Sequence, residues 1–390
     1  MGAPAIGHEL VTDPTSDFRR PNGPLFVIGM WRSGTSALYA LLNQHAKIAL
    51  LFEGDLRLLS WRFLFSPSPA KVLARWNFWN LAAKRHQIQV ERLAQAMPDV
   101  RSAMEATYRE YAERKGASIR GEKSPNYYDC LTDLAKDFPG ARFLVIWRNP
   151  MSVCASILSA RTVCSYFDRT GMVLRALLGF PRLKQQCDRL LEQNVPVHQI
   201  NYEELVEDPS TVMKGICRFL EIGFDPKMTS LDEADVSAIY LEDHHSSFLR
   251  REDIHLMPEQ TYLLPPAVRR KIRRYVCEWK EKSGGVWPAY PRAASGREMK
   301  PSTTEKLLDQ IAYRCLRAYD QMVLVLYGLG PIWGLQRYRA IKQHCRKFKQ
   351  NRRRNFSRWP SPAGNSKSVA HESVGAVRLI SSPGIRGSRN

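Results

Sequence analysis

Apolar residues in this chain occur in short continuous runs, each followed by a segment with helical periodicity. Runs of strand length lie at 25–30 (LFVIGM), 48–52 (IALLF), 141–147 (ARFLVIW) and 196–201 (PVHQIN), and 119–122 is a shorter candidate. Continuous apolar strands, as opposed to alternating ones, are typical of a sheet that is buried on both faces. Because helical patterns alternate with these strands, the sequence predicts a three-layer α/β domain with a central parallel sheet.

The remaining segments predict additions to this α/β domain, which we assign to residues 23–295. Residues 1–22 are polar and proline-rich and predict a flexible arm, and about 56–114 predicts a helical insertion. Ser, Pro, Gly and scattered Arg predict disorder in the basic tail, 337–390. Residues 296–336 predict a C-terminal helical extension. We expect its helix to pack back through apolar residues that recur at helical spacing, namely Leu307, Leu308, Ile311, Cys315, Tyr319 and Met322.

The positive charge of the chain is concentrated in that tail. Lys and Arg number 58 against 38 acidic residues, a formal charge of +20, but 337–390 alone holds 14 basic residues and one acid. The tail therefore carries +13 and the other 336 residues carry +7. A basic segment after the apolar stretch 322–335 favours contact with an anionic membrane surface; nonspecific polyanion binding and a solvated tail are the alternatives. We expect no specific nucleic-acid partner.

The sequence predicts neither a signal peptide at 1–24 nor a membrane span. Residues 1–24 lack the apolar core of a signal peptide, and no window holds the 18 or so apolar residues of a span. The eight cysteines form no C-x-x-C pair, which disfavours a zinc site and a dense disulfide framework. We therefore expect a soluble, cytoplasmic protein, peripheral to a membrane surface if the tail binds lipid.

The most informative stretch is a glycine-containing loop between the first strand and the first helix. Residues 29–36 (GMWRSGTS) have the G-x-x-x-x-G frame of a phosphate-binding loop. The glycines allow close approach of the backbone, and the following helix offers free N–H groups and a positive dipole end to an anion. An ordinary glycine turn with a Thr or Ser helix cap is the alternative.

Two departures from the Walker A pattern change the expected chemistry. Thr35 stands where the lysine would be, and the cation is Arg32, inside the loop. An NTPase also needs an Asp at the end of a neighbouring strand to hold Mg²⁺, whereas here the strand ends at Trp147 and Arg148. The sequence therefore disfavours metal-assisted nucleotide hydrolysis. It favours a nucleotide whose phosphates are bound by side-chain cations and backbone amides, with no metal required.

Three segments in a fixed order resemble the sulfotransferases that use 3′-phosphoadenylyl sulfate (PAPS). R-S-G-T-S after an apolar strand resembles the family's 5′-phosphosulfate loop, and 147–150 (WRNP) with Ser156 resembles its 3′-phosphate motif. Residues 202–209 (YEELVEDP), with the helix that follows, resemble its third common segment. The loop arginine is closer to the carbohydrate and tyrosyl-protein branches than to the small-phenol branch. The resemblance implies a P-loop-type fold, PAPS as sulfate donor, and a donor site made of Arg32, Ser33, Gly34, Thr35, Ser36, Arg148, Ser156 and Tyr202.

The resemblance also implies which groups act on the sulfuryl group. Arg32 is expected to stabilise the bridging oxygen and the departing phosphate. Lys123 resembles a lysine that lies near the sulfate in tyrosyl-protein sulfotransferases. Those enzymes use a Glu after the phosphate loop as general base, and Glu53, 21 residues beyond Arg32, stands at the matching place. Glu53 directly follows the run 48–52, at a strand's carboxyl end, and the neighbouring Asp55 is the alternative base.

The acceptor is the least specified part of this prediction. We expect a carbohydrate or glycolipid hydroxyl first, a peptide tyrosine second and an amphiphilic metabolite third. The helical insertion, with Trp61, Trp76 and Trp79, is expected to contact it, although these residues equally suit a core. Residues 243–251 fall where the family places a loop over the nucleotide. A P-loop kinase or NTPase and a noncatalytic binding protein on the same fold are the alternative functions.

Overall fold

The central element of the structure is a parallel sheet. The computed structural model describes residues 23–59, 82–88, 99–161, 167, 171–239, 264–282 and 300–328. Within these residues, five parallel strands form one sheet in the order β2-β3-β1-β4-β5. The strands are β1 (Leu25–Gly29), β2 (Ile48–Phe52), β3 (Ile119–Lys123), β4 (Arg142–Trp147) and β5 (Val197–Asn201).

Helices cover both faces of this sheet. Short 3₁₀ turns at Leu56–Leu59, Pro125–Tyr127 and Pro226–Thr229 supplement them. The α-helices whose full extent lies in the described residues are α1 (Thr35–Leu42), α2 (Val100–Lys115), α3 (Leu131–Asp137), α4 (Pro150–Ala160), α5 (Met172–Glu192), α6 (Tyr202–Glu207), α7 (Pro209–Leu220), α8 (Pro266–Lys282) and α9 (Thr303–Gly328).

The central strands alternate between two hydrophobic cores. In β1, Phe26 and Ile28 pack in a core with residues of α2 to α5 and α8, whereas Leu25 and Val27 pack in a second core with α1, α6 and α7. Every residue of β1 is buried. Burial on both sides explains the continuous apolar runs, since no strand position needs to be polar. The predicted three-layer α/β architecture is confirmed.

The strand order brings four strand ends to one edge. The chain passes from β1 to β2 and β3 on one side of β1, and then to β4 and β5 on the other. In register, Lys123 at the end of β3 lies beside both Val27 of β1 and Phe52 of β2. In open α/β sheets, ligands bind outside the carboxyl ends of strands where the order reverses. Here that place is the edge beyond β2, β3, β1 and β4.

The helical insertion is described only in part. It contains the 3₁₀ turn Leu56–Leu59, a helical segment at 82–85, and α2. Trp61, Trp76 and Trp79 lie outside the described residues, as do 1–22, 243–251 and 337–390. The domain boundaries and the roles given to these segments remain predictions.

The C-terminal helix forms as α9, but the face predicted to pack is wrong. Asp309 and Tyr313 are buried instead, on another side of the helix. Cys315 is exposed as well. The side chain of Met322 lies outside the described residues. The predicted apolar face remains largely open to solvent, with exposures of 60% for Leu307, 61% for Leu308, 49% for Ile311 and 49% for Tyr319.

Charged contacts with α8 explain this orientation. Asp309 accepts hydrogen bonds from Lys271 Nζ at 2.5 Å and from Tyr275 Oη at 2.7 Å. Further along the same seam, ion pairs join Arg274 to Glu305 and Lys306 to Glu278. A buried carboxylate is costly without such partners, so the face of α9 that carries the matching charges turns inward. Apolar spacing alone does not contain this information.

Among the residues whose structure is described, none of the helices has the length and apolar character that a membrane crossing requires. The six cysteines in this part of the chain are free thiols.

Candidate functional site

The loop between β1 and α1 forms an open helix N-terminus. Gly34 is the N-cap of α1 with φ 94°, and no side chain caps the helix there. The Thr or Ser cap considered from the sequence is therefore absent at this helix. Ser33 is fully buried, and its Oγ has no hydrogen-bond partner within the described structure. The unpaired Ser33 hydroxyl and the positive dipole end of α1, where Gly34 supplies no capping side chain, favour an anion at this loop.

Only glycine fits at position 34, because the ring of Tyr202 lies against the loop. A Cβ on Gly34 would stand 2.2 Å from Tyr202 Cδ2. Tyr202 is the first residue of α6, and its ring also lies beside the guanidinium of Arg148, whose Cζ is 4.3 Å from the ring centroid. The third motif therefore supports the other two physically.

The cations of the first and second motifs meet at this loop. Arg148 Nη1 donates to the backbone oxygen of Arg32 at 2.9 Å, and Arg32 Nε donates to Ser156 Oγ at 2.9 Å. Arg32 itself has φ 67°, in the left-handed region. Arg32 thus lies between Arg148 and Ser156, the two residues of the segment that resembles the 3′-phosphate motif. Two guanidinium groups and a hydroxyl thus lie together beside the N-terminus of α1.

The second motif is held by the start of α4. Arg148 follows the last residue of β4, and the Asn149 side chain caps α4 by accepting from Met151 N at 2.9 Å. Asn149 N donates to Glu203 Oε1 in α6 at 3.1 Å. Pro150 takes the first helical position, where its missing N–H is not needed. The segment 147–150 is therefore built to fix the direction of Arg148.

A second cluster joins Glu53 and Lys123. Glu53 N donates to the Lys123 carbonyl at 2.9 Å, which extends the ladder of β2 and β3 by one bond. Lys123 Nζ lies 2.5 Å from Glu53 Oε1, with the lysine side chain 0% and the glutamate 21% exposed. The same Nζ stands 3.7 Å from the centroid of the Phe52 ring, a cation–π contact. Glu53 and Lys123, two of the three predicted catalytic residues, thus form an ion pair in which only Glu53 is exposed to solvent.

Asp55, the alternative base, is enclosed. It is buried; one carboxylate oxygen accepts from Ser124 Oγ and the other from Asn126 Nδ2, the latter at 2.7 Å. Burial, with the charges of Glu122 and Glu53 nearby, raises the pKa of Asp55 to about 8. Its geometry is that of a structural carboxyl group, whereas Glu53 stands at the surface of the site.

Glu122, the buried neighbour of Lys123 in β3, is a second enclosed acid. Its carboxylate accepts from Asp55 N at 2.7 Å, from Tyr108 Oη at 2.6 Å and from Tyr127 Oη at 3.2 Å. Burial raises the pKa of Glu122 above its usual range. These bonds join the segment after β2 to β3.

Two residues that the sequence analysis missed connect the clusters. Trp31 Nε1, in the phosphate loop, donates to Asn126 Oδ1 at 3.0 Å, and Asn126 in turn contacts Asp55. Both residues follow the carboxyl end of a strand, and that position is the only sequence signal for them. In the part of the chain that is described, no group of His, Cys, Asp or Glu is arranged to hold a metal ion.

Comparison with known proteins identifies relatives of this site. A sequence model of the sulfotransferase family matches residues 24–226. Protein-tyrosine sulfotransferase 1 of Danio rerio is 25% identical over 214 residues, covering 54% of this chain and 56% of that protein. Nodulation protein NoeE of Sinorhizobium fredii is 28% identical over 226 residues, covering 52% of this chain and 50% of that protein. The chain thus spans about half the length of the curated relatives it matches.

Solved structures with a similar fold include two sulfotransferase domains. The sulfotransferase domain of the Synechococcus PCC 7002 olefin synthase is 20% identical with a TM-score of 0.45, and the match covers 78% of this chain and 97% of that domain. The sulfotransferase domain of the curacin biosynthetic pathway is 20% identical with a TM-score of 0.47, and the match covers 67% of this chain and 99% of that domain.

The matched region contains all three motifs and the Glu53–Lys123 pair. It also covers just over half of the chain. The resemblance inferred from the motifs is thereby confirmed at the level of the family, which consists of transferase enzymes: this chain belongs to the sulfotransferase family.

Proposed function

We propose that the protein transfers a sulfuryl group from PAPS to a hydroxyl group of an acceptor. The observation that carries this proposal is the convergence of Arg32, Arg148 and Ser156 at the open N-terminus of α1. The Glu53–Lys123 pair stands at the same edge of the sheet. Membership of the sulfotransferase family supports the reaction class.

The residues present fit a bisphosphorylated nucleotide. Ser33 Oγ is a buried hydroxyl without a partner in the described structure, and the first N–H groups of α1 carry no side-chain cap. Arg32 and Arg148 would neutralise phosphate charge, and a planar guanidinium suits phosphate oxygens because it donates in pairs. When bound, PAPS supplies a sulfuryl group already activated by its bond to phosphate. We assign its 5′ side to the loop 32–36 and its 3′-phosphate to Arg148 and Ser156.

Glu53 and the cations then have distinct tasks. Glu53 would take the proton of the acceptor hydroxyl as the acceptor oxygen bonds to sulfur and the bond from sulfur to the phosphate oxygen of the donor breaks, a step that a positioned carboxylate accelerates. Arg32 neutralises the charge that appears on the leaving phosphate. Lys123, held against Glu53, neutralises charge on the sulfuryl oxygens. Asp55 is not the base in this proposal, because both of its carboxylate oxygens are already occupied inside the protein.

We propose two classes of acceptor. A carbohydrate or glycolipid hydroxyl rests on the branch resemblance of the loop. A peptide tyrosine is favoured by relatives named protein-tyrosine sulfotransferase in Danio rerio and Caenorhabditis elegans, 25% and 24% identical. A chito-oligosaccharide and a tyrosine-containing acidic peptide are the corresponding probes.

Calorimetric titration separates this proposal from a kinase or NTPase. We expect adenosine 3′,5′-bisphosphate (PAP) to bind in EDTA, and ATP with Mg²⁺ to bind at least tenfold more weakly. Arg32→Ala should abolish PAP binding, because it removes the guanidinium and its bond to Ser156. Lys227→Ala, at an exposed ion pair with Glu233, is the control for lost positive charge. Tight ATP–Mg²⁺ binding with no PAP binding would overturn the proposal.

We also propose that the C-terminal segment contacts an anionic membrane surface. The support is the exposed apolar face of α9, which includes Leu307, Leu308 and Ile311, together with the basic sequence 337–390 that follows it. Apolar side chains next to basic residues are the composition of a helix that lies at a lipid interface.

Sedimentation with vesicles tests this contact. The full chain should cosediment with phosphatidylserine-containing vesicles and not with purely zwitterionic ones. Raising the salt concentration about tenfold, to roughly 0.5 M, should weaken binding because salt screens the attraction between charges. Leu307→Gln with Leu308→Gln should reduce it. Leu191→Gln, at a 45% exposed leucine of α5, is the matched control. Equal binding by all three proteins would contradict a role for α9.

A further inference from the structure

A chain of hydrogen bonds connects the three loops that carry the proposed reacting groups. Trp31 Nε1 donates to Asn126 Oδ1 at 3.0 Å, Asn126 Nδ2 donates to Asp55 Oδ2 at 2.7 Å, and Ser124 Oγ donates to Asp55 Oδ1. We call these four residues the linking network. We infer that the linking network positions Arg32, Glu53 and Lys123 relative to one another, an inference that rests on the proposed function.

Each member of the linking network is close in sequence to a reacting group. Trp31 precedes Arg32, Asp55 lies two residues after Glu53, and Ser124 follows Lys123. These groups come from three different strand ends, so no single loop fixes their spacing. The bonds of Asn126 join the phosphate loop directly to the segment after β2. A shift of about 1 Å in such a constellation is enough to lower a rate 100-fold.

The backbone of these loops needs such support. Arg32, Glu53 and Asp55 have φ values of 67°, 51° and 54°, the left-handed region that non-glycine residues rarely adopt. Such a strained conformation persists only where its surroundings fix it. The side chain of Asp55 supplies two of the fixing bonds, and its backbone N–H supplies a third by donating to Glu122 at 2.7 Å.

Burial keeps the linking network in one arrangement. Trp31, Asp55 and Ser124 are buried, and the Trp31 indole packs edge-on against Tyr128 at a centroid distance of 5.4 Å. Ser124 N also donates to the Val27 carbonyl at 3.1 Å, which ties it to β1. In a low-dielectric interior, breaking one of these bonds leaves a polar group unsatisfied, which penalises other arrangements.

The linking network acts through other residues. Both oxygens of Asp55 are engaged inside the protein, and Asn126 presents its oxygen and its nitrogen to network partners. These four are therefore positioning residues. Their loss should lower kcat while leaving the KM for the acceptor within about twofold, because their hydrogen bonds run to one another inside the protein.

Removing single bonds gives the first test. Trp31→Phe keeps the ring packing but loses one donor, so kcat should fall about 3- to 10-fold, the range of one net hydrogen bond. Asn126→Ala breaks two bonds, so it should cost about 10- to 100-fold. The double variant should be no worse than Asn126→Ala alone, since both changes break the same bond. Gln186→Ala, which removes a buried amide bonded to Thr132, should lower stability without changing kcat.

Amide hydrogen exchange gives a readout independent of turnover. Asn126→Ala should increase exchange in 53–57 and in 31–34, and Gln186→Ala should not. Unchanged exchange in both segments would overturn the inference whatever the activity. Wild-type failure to bind PAP or to sulfate either probe would instead refute the proposed function, so the two failures are distinguishable.

Substitutions at Asp55 separate positioning from acid–base chemistry. Asp55→Asn retains an acceptor and a donor for Asn126 and Ser124, so kcat should stay within about 3-fold of wild type. Asp55→Leu removes both bonds and should cost at least about 30-fold. Activity is measured with the peptide and oligosaccharide probes, and folding by the thermal transition. Loss of turnover in Asp55→Asn with exchange unchanged would overturn the inference and make Asp55 the base.

Discussion

The Glu53–Lys123 pair gives the sharpest prediction, because stability and activity should respond differently to its two halves. Glu53→Gln removes the carboxylate that faces a fully buried ammonium, whereas Lys123→Met removes the ammonium and leaves a carboxylate that is 21% exposed. Both changes break one ion pair. Only Glu53→Gln leaves the buried charge of Lys123 in place.

The size of the difference follows from burial. Removing one partner of a buried ion pair costs about 3–5 kcal/mol, and because Glu53 is partly solvated we expect about 1–3 kcal/mol for Glu53→Gln. Lys123→Met places an apolar side chain against Phe52, so its cost should be about 0–1 kcal/mol. The double variant should return to within about 1 kcal/mol of wild type, because no buried charge then lacks its carboxylate.

Activity should not recover in the double variant. Glu53→Gln removes the proposed base, which contributes about 10²- to 10⁴-fold to such a reaction. Urea unfolding followed by tryptophan fluorescence measures stability, and transfer of ³⁵S from labelled PAPS measures activity. The reasoning would be refuted if Lys123→Met were as destabilising as Glu53→Gln, or if Glu53→Gln kept activity within threefold of wild type.

The remaining predictions concern the loop, the second motif and pH. Gly34→Ala should lower the free energy of unfolding by about 2–4 kcal/mol and abolish PAP binding, because φ is 94° and Tyr202 occupies the space of the new Cβ. The control is Gly116→Ala, where φ is 64° and the space around the Cβ is open; it should cost about 1 kcal/mol and leave PAP binding intact. Arg148→Lys should weaken PAP binding about 10-fold by calorimetry, because lysine lacks the planar fork and the stacking on Tyr202. The pKa of Asp55 is raised from its ordinary value of 3.8 to about 8 in the folded protein. Between these two values the folded state therefore holds a proton that the unfolded state releases. The free energy of unfolding should therefore fall as pH rises from 4 to 8, and Asp55→Asn should flatten that dependence in urea titrations; an unchanged slope would contradict the raised pKa.

The fold and the first motif were predictable because their signals are local. A strand buried on both faces must be apolar throughout, which made β1 and β4 visible in the sequence. The phosphate loop was recognisable because its glycine spacing and the following helix are adjacent in the chain. Glu53 was proposed from the resemblance, which implies a glutamate after the phosphate loop, and from its position directly after the run 48–52.

Contacts between distant segments were not predictable in the same way. Trp31 and Asn126 are 95 residues apart, and nothing local to either specifies their hydrogen bond. The enclosure of Asp55 depends on Ser124 and Asn126, which reach it from another strand end. The orientation of α9 failed for the same reason, because it is decided by charged partners on α8.

The most direct test of the central claim is transfer of ³⁵S from labelled PAPS in EDTA, by the purified full chain, to the tyrosine peptide and the chito-oligosaccharide. The account predicts labelled product with at least one probe, together with stoichiometric PAP. It also predicts loss of that product in Arg32→Ala and Glu53→Gln but not in Gln186→Ala. No labelled product from either probe, or equal product from wild type and Arg32→Ala, would contradict the account.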